Sequence, residues 1–148
     1  MTTREELAAA QAALVTALVA GGPTPAGFDT VRVAAAARAL MGKRAGEVAR
    51  AWPSLASVHG ARWMAVFAEW ARDRPARGPW LDGWDFARAH RDSLPPPAAL
   101  ELLMCEAAWR QSGDGAPRRR HFSASTAPGG VLVRVFGRTR LIPLRSRP

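Results

Sequence analysis

Three histidines (His59, His90 and His121), one cysteine (Cys105) and two aspartates three positions apart (Asp82 and Asp85) are the residues whose chemistry could go beyond packing. The histidines lie far apart and show neither HxxxH nor HExxH spacing, the arrangements that put two imidazoles on one helix face as metal ligands. Cys105 sits inside an apolar stretch, LELLMCEAAW, and a single cysteine supports neither an internal disulfide nor a cysteine-based metal cluster. Neither a metal centre nor a cofactor is expected. His90-Arg91-Asp92 spells the tripeptide of a kinase catalytic loop, but no glycine-rich phosphate loop, partner lysine or DFG accompanies it. Asp82 and Asp85 could be paired carboxylates. Both fall where the first turn of a short helix is expected, and there an acid takes free backbone N–H groups and meets the positive end of the helix dipole. No serine stands in a GxSxG elbow. The chain is therefore expected not to be an enzyme, and no catalytic residue is assigned.

What remains is cationic and aromatic. The net charge is +9, with Lys43 the only lysine in a chain full of alanine, glycine and proline. That bias is what a GC-rich genome writes, so the distribution of charge says more than its total. Residues 1–112 hold thirteen Lys/Arg against eleven Asp/Glu, whereas residues 113–148 hold eight arginines against one acid, Asp114, a net of +7. Arg118, Arg119, Arg120, Arg134, Arg138, Arg140, Arg145 and Arg147 admit three readings. They form a solvated tail, an arm that replaces phosphate counterions on a nucleic acid, or a dock for an acidic peptide or partner through bidentate carboxylate contacts. Of six tryptophans, Trp52, Trp63, Trp70 and Trp109 fall on or near apolar stripes. Trp80 and Trp84 lie in a glycine-rich polar segment and are either core plugs or an aromatic contact surface.

The elements that must position these residues can be read from periodicity and caps. A length of 148 residues, 48% of them apolar and 22% charged, suits one ordinary folded domain. MTTREELAAAQ lacks the basic and apolar regions of a secretory signal, and no segment is apolar enough to span a bilayer, so a cytoplasmic protein without a membrane partner is expected. Thr3 and Glu6 form a capping box ahead of a helix with Leu7, Leu14 and Leu18 on one face, stopped by Gly21-Gly22. Phe28 is expected in the core, just before Asp29 or Thr30 caps a second helix that runs to about Ala51. Its buried stripe is Val33, Ala37, Leu40, Met41, Val48 and Trp52, with Arg32, Arg38, Lys43, Arg44 and Arg50 solvated, and Pro53 ends it. A turn at SLASVHG precedes a helix with Trp63, Val66, Phe67 and Trp70 at i, i+3, i+4 and i+7. Pro75 closes it, and a short helix capped by Asp82 follows. Pro95-Pro96-Pro97 leads into a last helix from Ala98 to about Gln111, with Leu100, Leu103, Met104 and Ala107 as its core face. SGDGAPRRRHFSASTAPGG is turn-rich and basic. VLVRVF and RLIPL then read as two strands around GRT, with Val131, Val133 and Val135 on one face, Leu132, Arg134 and Phe136 on the other, and Pro143 marking an edge. The expected fold is mostly α: a compact bundle of about five helices over residues 1–112, and a basic linker with a short β-hairpin over residues 113–148.

Residues 5 to about 111 resemble the helical domain of the accessory partners of multinuclear non-haem iron oxidases, enzymes that modify ribosomally made peptides. The resemblance is to the actinobacterial branch, where that domain is often fused behind the oxidase. It rests on EELAAAQAALVTALVAGGPTPAGFD, ALMGKRAGEVARAWPSL, HGARWMAVFAEWARDRP, WLDGWDFARAH and LELLMCEAAWR. The shared pattern couples Trp52-Pro53 at a helix end, Gly60 ahead of Trp63, a closing Pro75, and a last helix with Glu101 or Glu106 near an aromatic. These are packing motifs. The resemblance implies that the helical domain docks on the oxidase, which owns the iron ligands, and that a C-terminal β region helps hold the precursor peptide's leader. The β region here is smaller than a full second domain. The expected function is thus a non-catalytic accessory subunit with an oxidase and a precursor peptide as partners, the peptide or partner met by Arg118, Arg119, Arg120, Arg134, Arg138, Arg140, Trp80 and Trp84. A small nucleic-acid-binding protein is the alternative, and the same helical domain has also been labelled DNA-binding.

Overall fold

A computed structural model describes residues 3–111, 116–127 and 129–143. The chain divides into two compact units, residues 1–86 and 87–148. The boundary expected between residues 112 and 113 lies outside the described residues, as do Arg145 and Arg147.

The first unit holds α1 (Arg4–Ala20), α2 (Thr30–Ala51), α3 (Pro53–Ser57), a 3-10 turn at Gly60–Arg62, α4 (Trp63–Ala71) and most of α5 (Pro79–Ala89). The capping box opens α1: Glu6 N–H donates to Thr3 Oγ1 at 3.2 Å, and Thr3 N–H to Glu6 Oε2 at 2.7 Å. Asp29 caps α2 by accepting the N–H groups of Val31 and Arg32. Trp63, Phe67, Trp70 and Phe86 form an aromatic cluster with centroid separations of 5.2–5.9 Å. The buried Trp63 indole also donates to the Ala45 carbonyl at 3.0 Å, fixing α4 against α2. Such a bond spares a buried N–H the cost of desolvation without a partner.

Three packing expectations give way. Phe28 and Leu40 are 42% and 46% exposed, Leu40 on an open cleft that it shares with Leu18 and Val19 of α1. Arg44, expected in solvent, has a side chain only 12% exposed. Its Nε donates to Asp82 Oδ2 at 2.8 Å, and its Nη1 and Nη2 to the carbonyls of Arg74 and Pro75. Asp82 does not cap a helix that starts at its own position, since α5 begins three residues earlier at Pro79. Its buried carboxylate accepts the Arg77 N–H at 3.0 Å as well as Arg44, and so ties α2, the 74–77 segment and α5 together. Asp85 instead pairs with the Arg77 side chain at 2.7 Å. Gly83 completes this junction: a Cβ there would sit inside the indole of the buried Trp52, whose Nε1 donates to the Trp80 carbonyl at 2.9 Å.

The second unit contains the end of α5, a 3-10 turn at Arg91–Ser93, α6 (Pro96–Ala108) and five strands: β1 (Trp109–Arg110), β2 (Arg118–Arg119), β3 (Phe122–Ala127), β4 (Gly130–Val135) and β5 (Arg138–Pro143). β1 and β2 form a short antiparallel ladder, and β3, β4 and β5 an antiparallel sheet in that order. The sheet packs on α6, where the Ser123 hydroxyl donates to the Ala107 carbonyl at 2.8 Å. α6 buries Ala98, Leu102 and Ala107, while Leu100 and Met104 are 44% and 43% exposed. Ala107 is thus buried as expected, whereas Ala98 and Leu102 take the core positions expected of Leu100 and Met104. Mostly α holds as the fold class among the described residues, with six α-helices, and the expected hairpin is the β4–β5 part of a three-stranded sheet. No helix among the described residues is long and apolar enough to cross a membrane.

Candidate functional site

The sheet has one face on α6 and one open to solvent. Strand alternation puts Leu132, 3% exposed, on the inner face. The register pairs Val131 with Thr126 and Ile142, Val133 with Ala124 and Arg140, and Val135 with Phe122 and Arg138. All nine residues thus share the outer face. Here apolar side chains meet water without cover: Phe122 is 62% exposed, Val135 44% and Ile142 52%. An open cleft of about 640 Å³ lies on this face, lined by Val133, Val135, Phe136, Arg138, Arg140 and Ile142. It offers an aliphatic floor with two guanidinium groups, a combination suited to an extended chain carrying apolar and carboxylate side chains.

One end of the face is closed by an unusual turn. Val135 pairs with Arg138, so Phe136 and Gly137 form a two-residue hairpin loop with φ of +44° and +85°. Two positive φ angles mark a type I′ turn, which favours Asn-Gly and disfavours a bulky first residue. Phe136 is 75% exposed, so burial does not offset its strain. Its N–H donates to the His121 carbonyl at 2.9 Å, and its ring meets Phe122 edge-on at 4.8 Å. A strained, solvent-facing phenylalanine beside the cleft is a candidate contact residue.

The candidate arginines fall into three groups. Arg138 and Arg140 stand on the outer face. Arg134 points to the inner face, half-buried, and donates to Thr139 Oγ1 at 3.0 Å. Arg118, Arg119 and Arg120 belong to or follow β2, where Arg119 stacks on Trp109 at 4.9 Å. Trp80 and Trp84 belong to the first unit and meet each other edge-on at 5.0 Å. Trp84 is 1% exposed and therefore a core plug, while Trp80 is half-buried. The sequence reading places neither the aromatic pair Phe122–Phe136 nor β3. The signal is present in FSASTA, which alternates in exposure along the strand, but its serines and flanking Pro-Gly-Gly read as turn.

The remaining titratable residues have structural surroundings. His59 packs against Trp63 and Phe86. Arg88 and Arg91, the latter from the His-Arg-Asp tripeptide, both pair with Glu106. Burial, with a smaller contribution from Glu106, pushes the Cys105 thiol up to about 12. Among the described residues no three His, Cys, Asp or Glu side chains gather as a metal site would require.

Residues 8–92 match a family described as SCO6045-like, C-terminal domain. Over 125 residues, 84% of the chain, the sequence is 38% identical to a UPF0276 protein of Streptomyces avermitilis. The match covers 26% of that protein, so the chain spans about a quarter of the relative's length. No solved structure matches.

Proposed function

The chain belongs to the SCO6045-like C-terminal domain family, and from that premise we propose that it is a non-catalytic, cytoplasmic accessory subunit that docks on a multinuclear non-haem iron oxidase and helps recruit the oxidase's precursor peptide. The observation that carries this reading is the outer face of the β3–β5 sheet, where Val133, Val135 and Ile142 lie beside Arg138 and Arg140. An acidic leader gains long-range attraction from the arginines and affinity from the apolar floor. The open edge of β5 adds backbone hydrogen bonding with little demand on sequence. Docking is supported by α1, an apolar helix with Leu7, Val15 and Val19 exposed by 54%, 57% and 42%. The similar stretch makes up about a quarter of the Streptomyces avermitilis relative, which supports a life beside a larger body.

The test is co-elution and fluorescence anisotropy with the oxidase and precursor peptide encoded in the same gene neighbourhood. Wild-type protein binds both, and R138Q/R140Q loses affinity for the peptide alone. A chain that binds neither, or a double variant that holds the peptide as tightly as wild type, ends the proposal.

A further inference from the structure

The second unit contains another group of arginines, of a different character. β1 and β2 pair Arg110 directly with Arg118 and Trp109 with Arg119. The Arg120 N–H donates to the Ala108 carbonyl at 2.9 Å, extending the ribbon by one position. Alternation then places Arg110, Arg118 and Arg120 on one face, with Trp109 and Arg119 on the other. All three arginines on the first face are exposed. Two like charges directly opposite each other destabilise a ladder. Among the described residues none of the three has a carboxylate within ion-pair distance. Arg119, stacked on Trp109, holds the other face in place.

We infer that this ribbon is a second binding site, and that its ligand is the phosphate backbone of a nucleic acid. The contrast with the outer sheet face decides the class of partner. There, arginines flank an apolar floor, as peptide recognition requires. Here the three guanidinium groups share their face with no apolar side chain of the ribbon larger than the methyl of Ala108, opposite Arg120, too small to anchor a peptide. A polyanion needs none: the opposed pair Arg110 and Arg118, with Cβ atoms about 5 Å apart, converges on one phosphate. Arg120, about 6.6 Å along the strand from Arg118, reaches the next. Binding of this kind is independent of sequence and driven by counterion release. It does not depend on the accessory-subunit reading, which uses a different face.

The full chain is titrated against labelled duplex and single-stranded DNA of mixed sequence over a fourfold range of salt. Wild type binds, and log affinity falls linearly with log salt. R110Q/R118Q/R120Q lowers the duplex slope by about 1.8, a factor of about 12 in affinity over that range, at about 0.9 for each of the two phosphates neutralised. R110K/R118K/R120K keeps the slope, and circular dichroism verifies that both variants are folded. Four results overturn the inference: no binding by wild type at the lowest salt, an unchanged slope in the glutamine variant, a loss that follows R138Q/R140Q instead, or poly-glutamate bound as tightly as DNA through the same three arginines.

Discussion

Gly83→Ala tests the junction on which the helical unit depends, because two effects of opposite sign meet there. Alanine is the better helix former, and in an open helix the exchange would add about 1 kcal/mol of stability. Gly83 faces the indole of Trp52, which is 2% exposed and held by its hydrogen bond to the Trp80 carbonyl. The new methyl would overlap the Cδ1 and Nε1 atoms of that ring, well inside any real contact. The indole cannot retreat into solvent, so either α5 moves away from α2 or the ring turns. Overpacking costs about 1–3 kcal/mol. Breaking the bond to Trp80 strands a buried N–H at a further cost of about 1–3 kcal/mol. After subtracting the helix gain, the variant loses about 1–5 kcal/mol, on the order of 10 °C in Tm at the middle of that range. Urea unfolding followed by circular dichroism reads this directly. A variant as stable as wild type would mean that the Trp52–α5 contact is looser than described, and that propensity rather than packing governs α5.

Three further outcomes follow from the same structure. Asp82→Asn leaves the Arg44 guanidinium buried without a counter-charge and should cost about 3–5 kcal/mol in denaturant unfolding; R44M/D82L, which removes both charges, should recover much of it. Cys105 should resist a thiol reagent such as DTNB at pH 8 in the folded protein and react at once in guanidinium, because burial keeps it protonated. The sign follows: its raised folded value contributes stability below the unfolded thiol value of about 8.5, lost as pH rises towards about 12, and a melting temperature flat across that alkaline window would contradict it. Phe136→Asn should hold or raise the melting temperature, since Asn-Gly suits a type I′ turn, while weakening peptide binding several-fold; a fall in stability would make the ring structural.

The sequence is most legible where local chemistry decides the outcome. The Thr3–Glu6 capping box, the Asp29 cap, the stop at Gly21 and the Trp63–Trp70 stripe are each set by neighbours within two turns, and each is present. Reading fails where the partner surface decides. Arg44 looks like a solvated arginine until Asp82, thirty-eight positions away, is placed beside it. Leu100 and Met104 outrank Ala98 on hydrophobicity, yet Ala98 is buried and the two larger residues are exposed. The same limit divides the candidate site: eight arginines in one tail do not reveal that Arg138 and Arg140 share a face with valines while Arg118 and Arg120 share one with Arg110. Only strand register settles that, and one residue of slip exchanges the faces.

The exposed apolar side of α1 carries a calorimetric signature. A helix whose valines and leucines stand in water orders solvent that any covering partner must release, and burial of such surface lowers heat capacity. Association through α1 should therefore become more exothermic as temperature rises, and respond weakly to salt. Association through the Arg110–Arg118–Arg120 ribbon buries little apolar area, so its enthalpy should change little with temperature while its affinity follows ionic strength. The two proposed contacts can thus be told apart by titration heats at several temperatures, before any complex has been seen.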